Sequence, residues 1–96
     1  MEISEVIKRK RSDILRIAEK HGVRRIRIFG SVARGEAGPQ SDVDFLVEVG
    51  PKHSRFFPGG LVADLQDLLG RKVDVVETEG IYPLLKDQIL KEAVAL

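Results

Sequence analysis

Residues Gly30 to Val47 read GSVARGEAGPQSDVDFLV, and the fold follows from how this stretch is parsed. Its end, with SDVDFLVEV continuing to Val49, is rich in β-branched residues and reads as a strand. Period two puts Val43, Phe45, Val47 and Val49 on one face and Asp42, Asp44, Leu46 and Glu48 on the other. Its start, Gly30-Ser31, closes a preceding strand, VRRIRIFG, in which Ile26 and Ile28 alternate with Arg25 and Arg27. Between them SVAR suits a short helix, and the Gly-Pro-rich remainder must be loop.

Working outward, Ile3, Val6, Ile7, Ile14, Ile17 and Ala18 recur at three- and four-residue spacing, which predicts an amphipathic helix over 3–21 with Gly22 as its stop. GPKHSRFFPGG is loop. LVADLQDLLG predicts a helix with Leu61, Leu65, Leu68 and Leu69 inward and Gly70 as the stop. KVDVVE is a short third strand. Residues 81–95 read as a last helix, with Pro83 in its first turn. This alternation predicts one domain over 1–96 of α/β (α+β) class, a small mixed β-sheet with helices packed on it.

Composition narrows the functions. The chain has 96 residues, 43% of them apolar and 32% charged, which fits a globular domain. There is no cysteine, so disulfides and thiolate metal sites are excluded. No apolar run approaches membrane length and the start is not a signal peptide, so the expected location is cytoplasmic. The net charge is +1, unevenly spread: residues 1–35 hold 10 Lys/Arg against 4 Asp/Glu, and residues 36–96 hold 6 against 11. Lys8-Arg9-Lys10-Arg11 reads first as an exposed helix face and second as a patch for an anion or an acidic partner.

Asp42 and Asp44 share a face, and two adjacent carboxylates repel. A cation between them relieves that cost, and Mg²⁺ takes carboxylate oxygens while keeping sites open for phosphate. Asp-x-Asp alone is better explained by a polar, solvent-facing strand edge with no ion. Asp74 also interrupts an apolar run, between Val73 and Val75, and a neighbouring strand can carry it beside the other two. Three carboxylates from two strands describe a site for one or two metals. Gly30 allows close backbone approach to a ligand, and the Ser31 hydroxyl suits phosphate, although an ordinary capping serine gives the same pair. Arg34 is a candidate phosphate contact or a structural partner. The spacing of Gly30 and Gly35 is that of a Walker A loop, but Glu36 stands where lysine is required.

Gly30-Ser31, Arg34-Gly35 and Ser41-Asp42-Val43-Asp44 ahead of an apolar strand resemble the signature of the DNA polymerase β-like nucleotidyltransferases. The short length and KVDVVE with Asp74 narrow the resemblance to the minimal, MNT-type branch. It implies a nucleotidyltransferase fold, with Asp42, Asp44 and Asp74 as catalytic residues holding Mg²⁺, two ions in all. Asp74 would stand beside the attacking hydroxyl. Gly30 and Ser31 would bind the β/γ phosphates of ATP. It implies transfer of a nucleoside monophosphate, AMP in the expected case, onto a hydroxyl with release of pyrophosphate. Such domains are often antitoxins paired with a HEPN-domain toxin, and some modify a tyrosine of that partner. The alternative is a non-catalytic antitoxin that neutralises its partner by contact. Direct nucleic-acid binding is the weakest reading, because the acids repel backbone phosphate.

Other residues carry less. His21 suits a helix C-terminus, His53 lies in a polar loop, and Tyr82 is read as a packing residue. One of Phe56 and Phe57 is expected in the core. One of that pair, with Ala93, Val94 and Leu96, is a candidate partner contact.

Overall fold

The computed structural model describes residues 2–51 and 57–96. Helices α1 (Ile3–Arg9) and α2 (Arg11–Lys20) lead into strand β1 (Val23–Phe29). The one-turn helix α3 (Gly30–Arg34) follows, then β2 (Val43–Val49), α4 (Gly59–Leu69) and β3 (Val73–Glu77). A 3₁₀ turn, Thr78–Gly80, leads to α5 (Pro83–Glu92) and β4 (Val94–Ala95). The sheet order is β3-β2-β1-β4, with β2 parallel to β3 and β1 antiparallel to both its neighbours. Five helices on a four-stranded mixed sheet are the expected class.

The expected alternation holds in β2. Val43, Phe45 and Val47 are buried in a single cluster with Ile26 and Ile28 of β1 and Val73 of β3. Helices α1, α2 and α4 close that face with Ile3, Ile7, Ile14, Ala18, Leu61, Leu65 and Leu69. Leu68 is only partly buried against the cluster. The opposite face of β2 carries Asp44, Leu46 and Glu48, of which Leu46 is fully buried.

Three expectations need correction. The helix predicted over 3–21 is two helices that break at Lys10 (φ −101°, ψ 14°). No apolar residue lies between Ile7 and Ile14 to hold one straight rod on the core. The break lets Lys10 Nζ donate to the Leu68 carbonyl at the end of α4, 2.8 Å away. The last helix stops at Glu92 and not at 95. Ala93 is extended, and Val94 and Ala95 pair with Ile28 and Arg27. The unsatisfied edge of β1 outbids one further helical turn, because each backbone group gained there would otherwise be left to solvent. Tyr82 is 63% exposed at the start of α5, so it does not pack in the core. Of the two loop phenylalanines, Phe57 packs partly against the core. Phe56 and His53 lie outside the described residues.

Candidate active site

Strand register sets the site. Asp44 pairs with Asp74 across the parallel β2–β3 ladder, and Phe29, the residue before Gly30, pairs with Asp44 across the antiparallel β1–β2 ladder. Paired residues project to the same side of a sheet. Asp44, Asp74 and the Gly30-Ser31 turn therefore meet at one end of the sheet, on the face away from the main core. Asp42 lies just ahead of β2 and is exposed.

The loop that delivers Asp42 is tied down. Ser41 Oγ accepts the Gly38 N–H at 2.8 Å. Arg71 Nη1 donates to the carbonyls of Ser41 (2.8 Å) and Gly38 (3.2 Å), and the Val43 N–H donates to the Lys72 carbonyl at 2.9 Å. Ser41 in the Ser-Asp-Val-Asp motif thus holds a turn.

Gly30 has φ +74°, in the region that disfavours side chains. A Cβ built there would overlap Asp44 Oδ2 and stand 3.1 Å from Asp44 Cγ. Asp44 therefore rests directly on the backbone of the glycine turn, and the two halves of the motif form one structure. Burial, then the charges of Asp74 and Asp42, push the Asp44 carboxyl above its ordinary value, while Arg34 opposes the shift. A cation among these acids would offset that repulsion.

The donor set fits a hard divalent ion in kind: carboxylates on one face, two of them on paired strands. Among the described residues, no three Asp, Glu or His side chains close on a single point as a ready-made cage. The Asp44 and Asp74 backbones are already level, so side-chain rotation can bring those two carboxylates onto one ion.

Ser31 is half-buried, and no hydrogen bond within the described residues engages its hydroxyl. Arg34 is engaged. Its Nη1 donates to Glu92 Oε1 at 2.5 Å and its Nε to Glu36 Oε1 at 3.1 Å. Glu92 Oε2 accepts the Gly30 N–H at 3.3 Å. The Arg34 pair, and secondly the Gly30 amide, hold the Glu92 carboxyl below its ordinary value.

Two residues of this region escape a sequence reading. Glu92 is 62 positions from Gly30, and nothing in its surroundings marks it. Arg27 reads only as the polar half of an alternation. Its register partner is Leu46, so it lies on the acid-bearing face of the sheet, with Nε buried and without a partner among the described residues. His21 does close α2, but its ring also bonds Asp64 of α4, with Nε2 2.7 Å from Oδ2.

The glycine turn thus lies against Asp44, which is level with Asp74 on the paired strand, and comparison with known proteins supplies the family. The nucleotidyltransferase domain family matches residues 7–96. A Methanocaldococcus jannaschii protein, provisionally named a protein adenylyltransferase, is 50% identical over 94 residues, 98% of this chain and 97% of its own length. The protein adenylyltransferase MntA of Thermococcus cleftensis is 39% identical over 80 residues, 81% of this chain and 79% of its own. A solved structure described as a minimal nucleotidyltransferase superposes with a TM-score of 0.87 at 40% identity, covering 100% of this chain and 97% of that one. A toxin–antitoxin crystal structure with AMP-PNP shares the fold at a TM-score of 0.74 and 21% identity, over 88% of this chain and 69% of that one. The chain belongs to the nucleotidyltransferase domain family, a family of enzymes, and its relatives include named protein adenylyltransferases. Among the described residues no helix is long and apolar enough to cross a membrane.

Proposed function

We propose that this protein is an Mg²⁺-dependent adenylyltransferase that moves AMP from ATP onto a hydroxyl of a partner protein, a tyrosine in the favoured case. The observation that carries the reading is the Asp44–Asp74 pair lying level beside Gly30. The acceptor oxygen bonds to the α-phosphorus, the α–β phosphoanhydride bond breaks, and pyrophosphate leaves with the bonding electrons. Asp42, Asp44 and Asp74 would hold the ions, which supply charge neutralisation on the leaving phosphates and a more acidic hydroxyl when bound. Asp74, the more exposed of the two paired acids, would stand on the acceptor side and receive its proton. Gly30, Ser31 and Arg34 would hold the β and γ phosphates, with the Ser31 hydroxyl donating to one of their oxygens.

An acceptor on a second protein is supported by the shape of the molecule. After the sheet and its helices are built, few residues remain to enclose a base or grip an acceptor. Large apolar side chains stand exposed on and beside α5: Tyr82, Leu84 (82%), Leu85 and Val94. Of the contacts expected from sequence, Val94 is half exposed, while Leu96 and Phe57 pack partly on the core. A HEPN-type toxin, meeting the enzyme in the cytoplasm, is the favoured partner on family resemblance. The exposed apolar side chains also suit the second reading, an antitoxin acting by contact alone.

The test is incubation with ATP labelled at the α-phosphate and Mg²⁺, with and without the protein encoded next to this one. Label or an AMP mass increment on the neighbour supports transfer. Efficient modification of a free small alcohol with the neighbour untouched refutes a protein acceptor. Silencing of the neighbour by unlabelled Asp44→Asn protein favours the contact reading.

A further inference from the structure

We propose that Glu92 is a built-in stand-in for phosphate, occupying the anion-binding groups of the site until a polyphosphate displaces it, so that residue 92 weakens binding of triphosphates and pyrophosphate and leaves monophosphate binding unchanged. The inference rests on the nucleotide-binding reading above and deepens it.

The groups involved are few. Two of them are the Gly30 N–H and the Arg34 guanidinium. Both are bound to the same carboxylate, Oε2 to the amide at 3.3 Å and Oε1 to the guanidinium at 2.5 Å. Two oxygens of one anion spanning an amide and an arginine is the pattern by which phosphate is held. A phosphate cannot use these donors while Glu92 does, and the charge of Glu92 repels it besides.

The contact can open without unfolding anything. Helix α5 contributes no buried residue to the core. Glu92 is its last residue, followed by extended Ala93. Arg34 is 44% exposed and Glu92 17%, so solvent reaches the pair from the arginine side and weakens it. Opening is therefore within reach of a ligand carrying several negative charges. In the nucleotide placement proposed above, the phosphate of AMP would lie at the reacting end, on the Asp74 side of Asp44, and would leave the Gly30 N–H and Arg34 to the β and γ phosphates. The β and γ phosphates do. A triphosphate thus meets a site whose competent fraction is reduced by the closed contact, and its apparent affinity falls by that fraction.

The test uses the whole protein with Mg²⁺ and three probes: α,β-methylene-ATP, which cannot be cleaved at the reacting bond, AMP, and inorganic pyrophosphate. Calorimetry compares wild type with Glu92→Gln, which keeps the side chain's size and loses its charge. Glu36→Gln is the control, because Glu36 pairs with Arg34 without touching Gly30. The expected result is that Glu92→Gln tightens the ATP analogue and pyrophosphate roughly fivefold or more, the scale of one charge-assisted contact. AMP changes less than about twofold, and Glu36→Gln moves neither by more than that. Equal or weaker analogue binding by Glu92→Gln overturns the inference and leaves the nucleotide reading standing. Equal tightening of AMP, or by Glu36→Gln, also overturns it, since the effect is then general charge relief. If pyrophosphate tightens and no nucleotide binds any form, the displacement stands and the nucleotide reading falls. If no probe binds any form, both fall.

Discussion

Replacing Gly30 by alanine tests the joint between the two halves of the site. Two costs can be separated. The backbone at φ +74° costs an L-residue about 1–2 kcal/mol. The new Cβ would overlap Asp44 Oδ2, with Cγ at 3.1 Å and Cβ at 3.4 Å. Overpacking costs about 1–3 kcal/mol, and the low end applies because a carboxylate can swing aside. The expected loss is therefore about 2–3 kcal/mol, inside the roughly 5–15 kcal/mol that holds a domain of this kind together. Gly35 supplies the control. It has nearly the same φ, +75°, and nothing within 4 Å of its would-be Cβ. Gly35→Ala should cost the backbone term alone.

Urea midpoints at unchanged slope measure both. The difference of about 1 kcal/mol between them should vanish when Asp44 is also alanine, a double-mutant cycle across one contact. Function should fall further than stability. Swinging the Asp44 carboxylate aside displaces it by the order of 1 Å, a misplacement that costs on the order of 100-fold in rate. Gly35→Ala should keep near-normal transfer. Equal costs at the two glycines, or a Gly30 cost that persists without Asp44, would refute the contact as the reason for glycine.

Asp44→Asn should abolish transfer and leave the urea midpoint at neutral pH equal to or above wild type. A carboxyl raised by burial and by Asp74 and Asp42 favours folding fully below the ordinary value of 3.8, and that contribution is lost as pH rises through the folded value. The gap should close well below pH 3.8, and a midpoint lower than wild type at neutral pH would contradict the repulsion. Ser31→Ala should weaken ATP by about 1–2 kcal/mol, one hydrogen bond to an anion, and an unchanged ATP titration would remove Ser31 from the site. His21→Ala should lower the urea midpoint without changing transfer. The Asp64 carboxyl is held below its ordinary value first by the His21 hydrogen bond, so the wild-type advantage is present above the ordinary carboxylate range and is lost as pH falls through the lowered value.

What sequence discloses here depends on range. The strands of Asp44 and Asp74 are legible because an alternating apolar face fixes which side the acids take, and a slip of one residue would bury them. The short helix after Gly30 is legible because turn chemistry is local. The break at Lys10 is not, because the group that rewards it, the Leu68 carbonyl, is 58 residues away. β4 is not, because Lys91-Glu92-Ala93-Val94-Ala95 continues a helical pattern and only the edge of β1 argues otherwise. Glu92 belongs with these: the helix that carries it is visible in sequence, and the amide and arginine it meets are not.

The position of the acids has a further cause that no motif contains. Arg71 binds the carbonyls of Gly38 and Ser41, and the Lys72 carbonyl accepts the Val43 N–H. These bonds join the chain entering β3 to the chain entering β2, one, three and six residues before Asp44 and two to three residues before Asp74. Parallel strands lack a tight hairpin to set their relative height, so register has to be imposed by such crossing bonds and by the packed face. Val43 and Val73, which pair directly and are both buried, supply the packed face. A shift of the ladder by two residues would keep the apolar face inward and still separate Asp44 from Asp74 by about 6–7 Å along the strand. The Arg71 bonds exclude that slip. The level pair of acids is thus a product of the loop ties as much as of the Asp-x-Asp spacing, and the glycine turn then fixes which end of the sheet they serve.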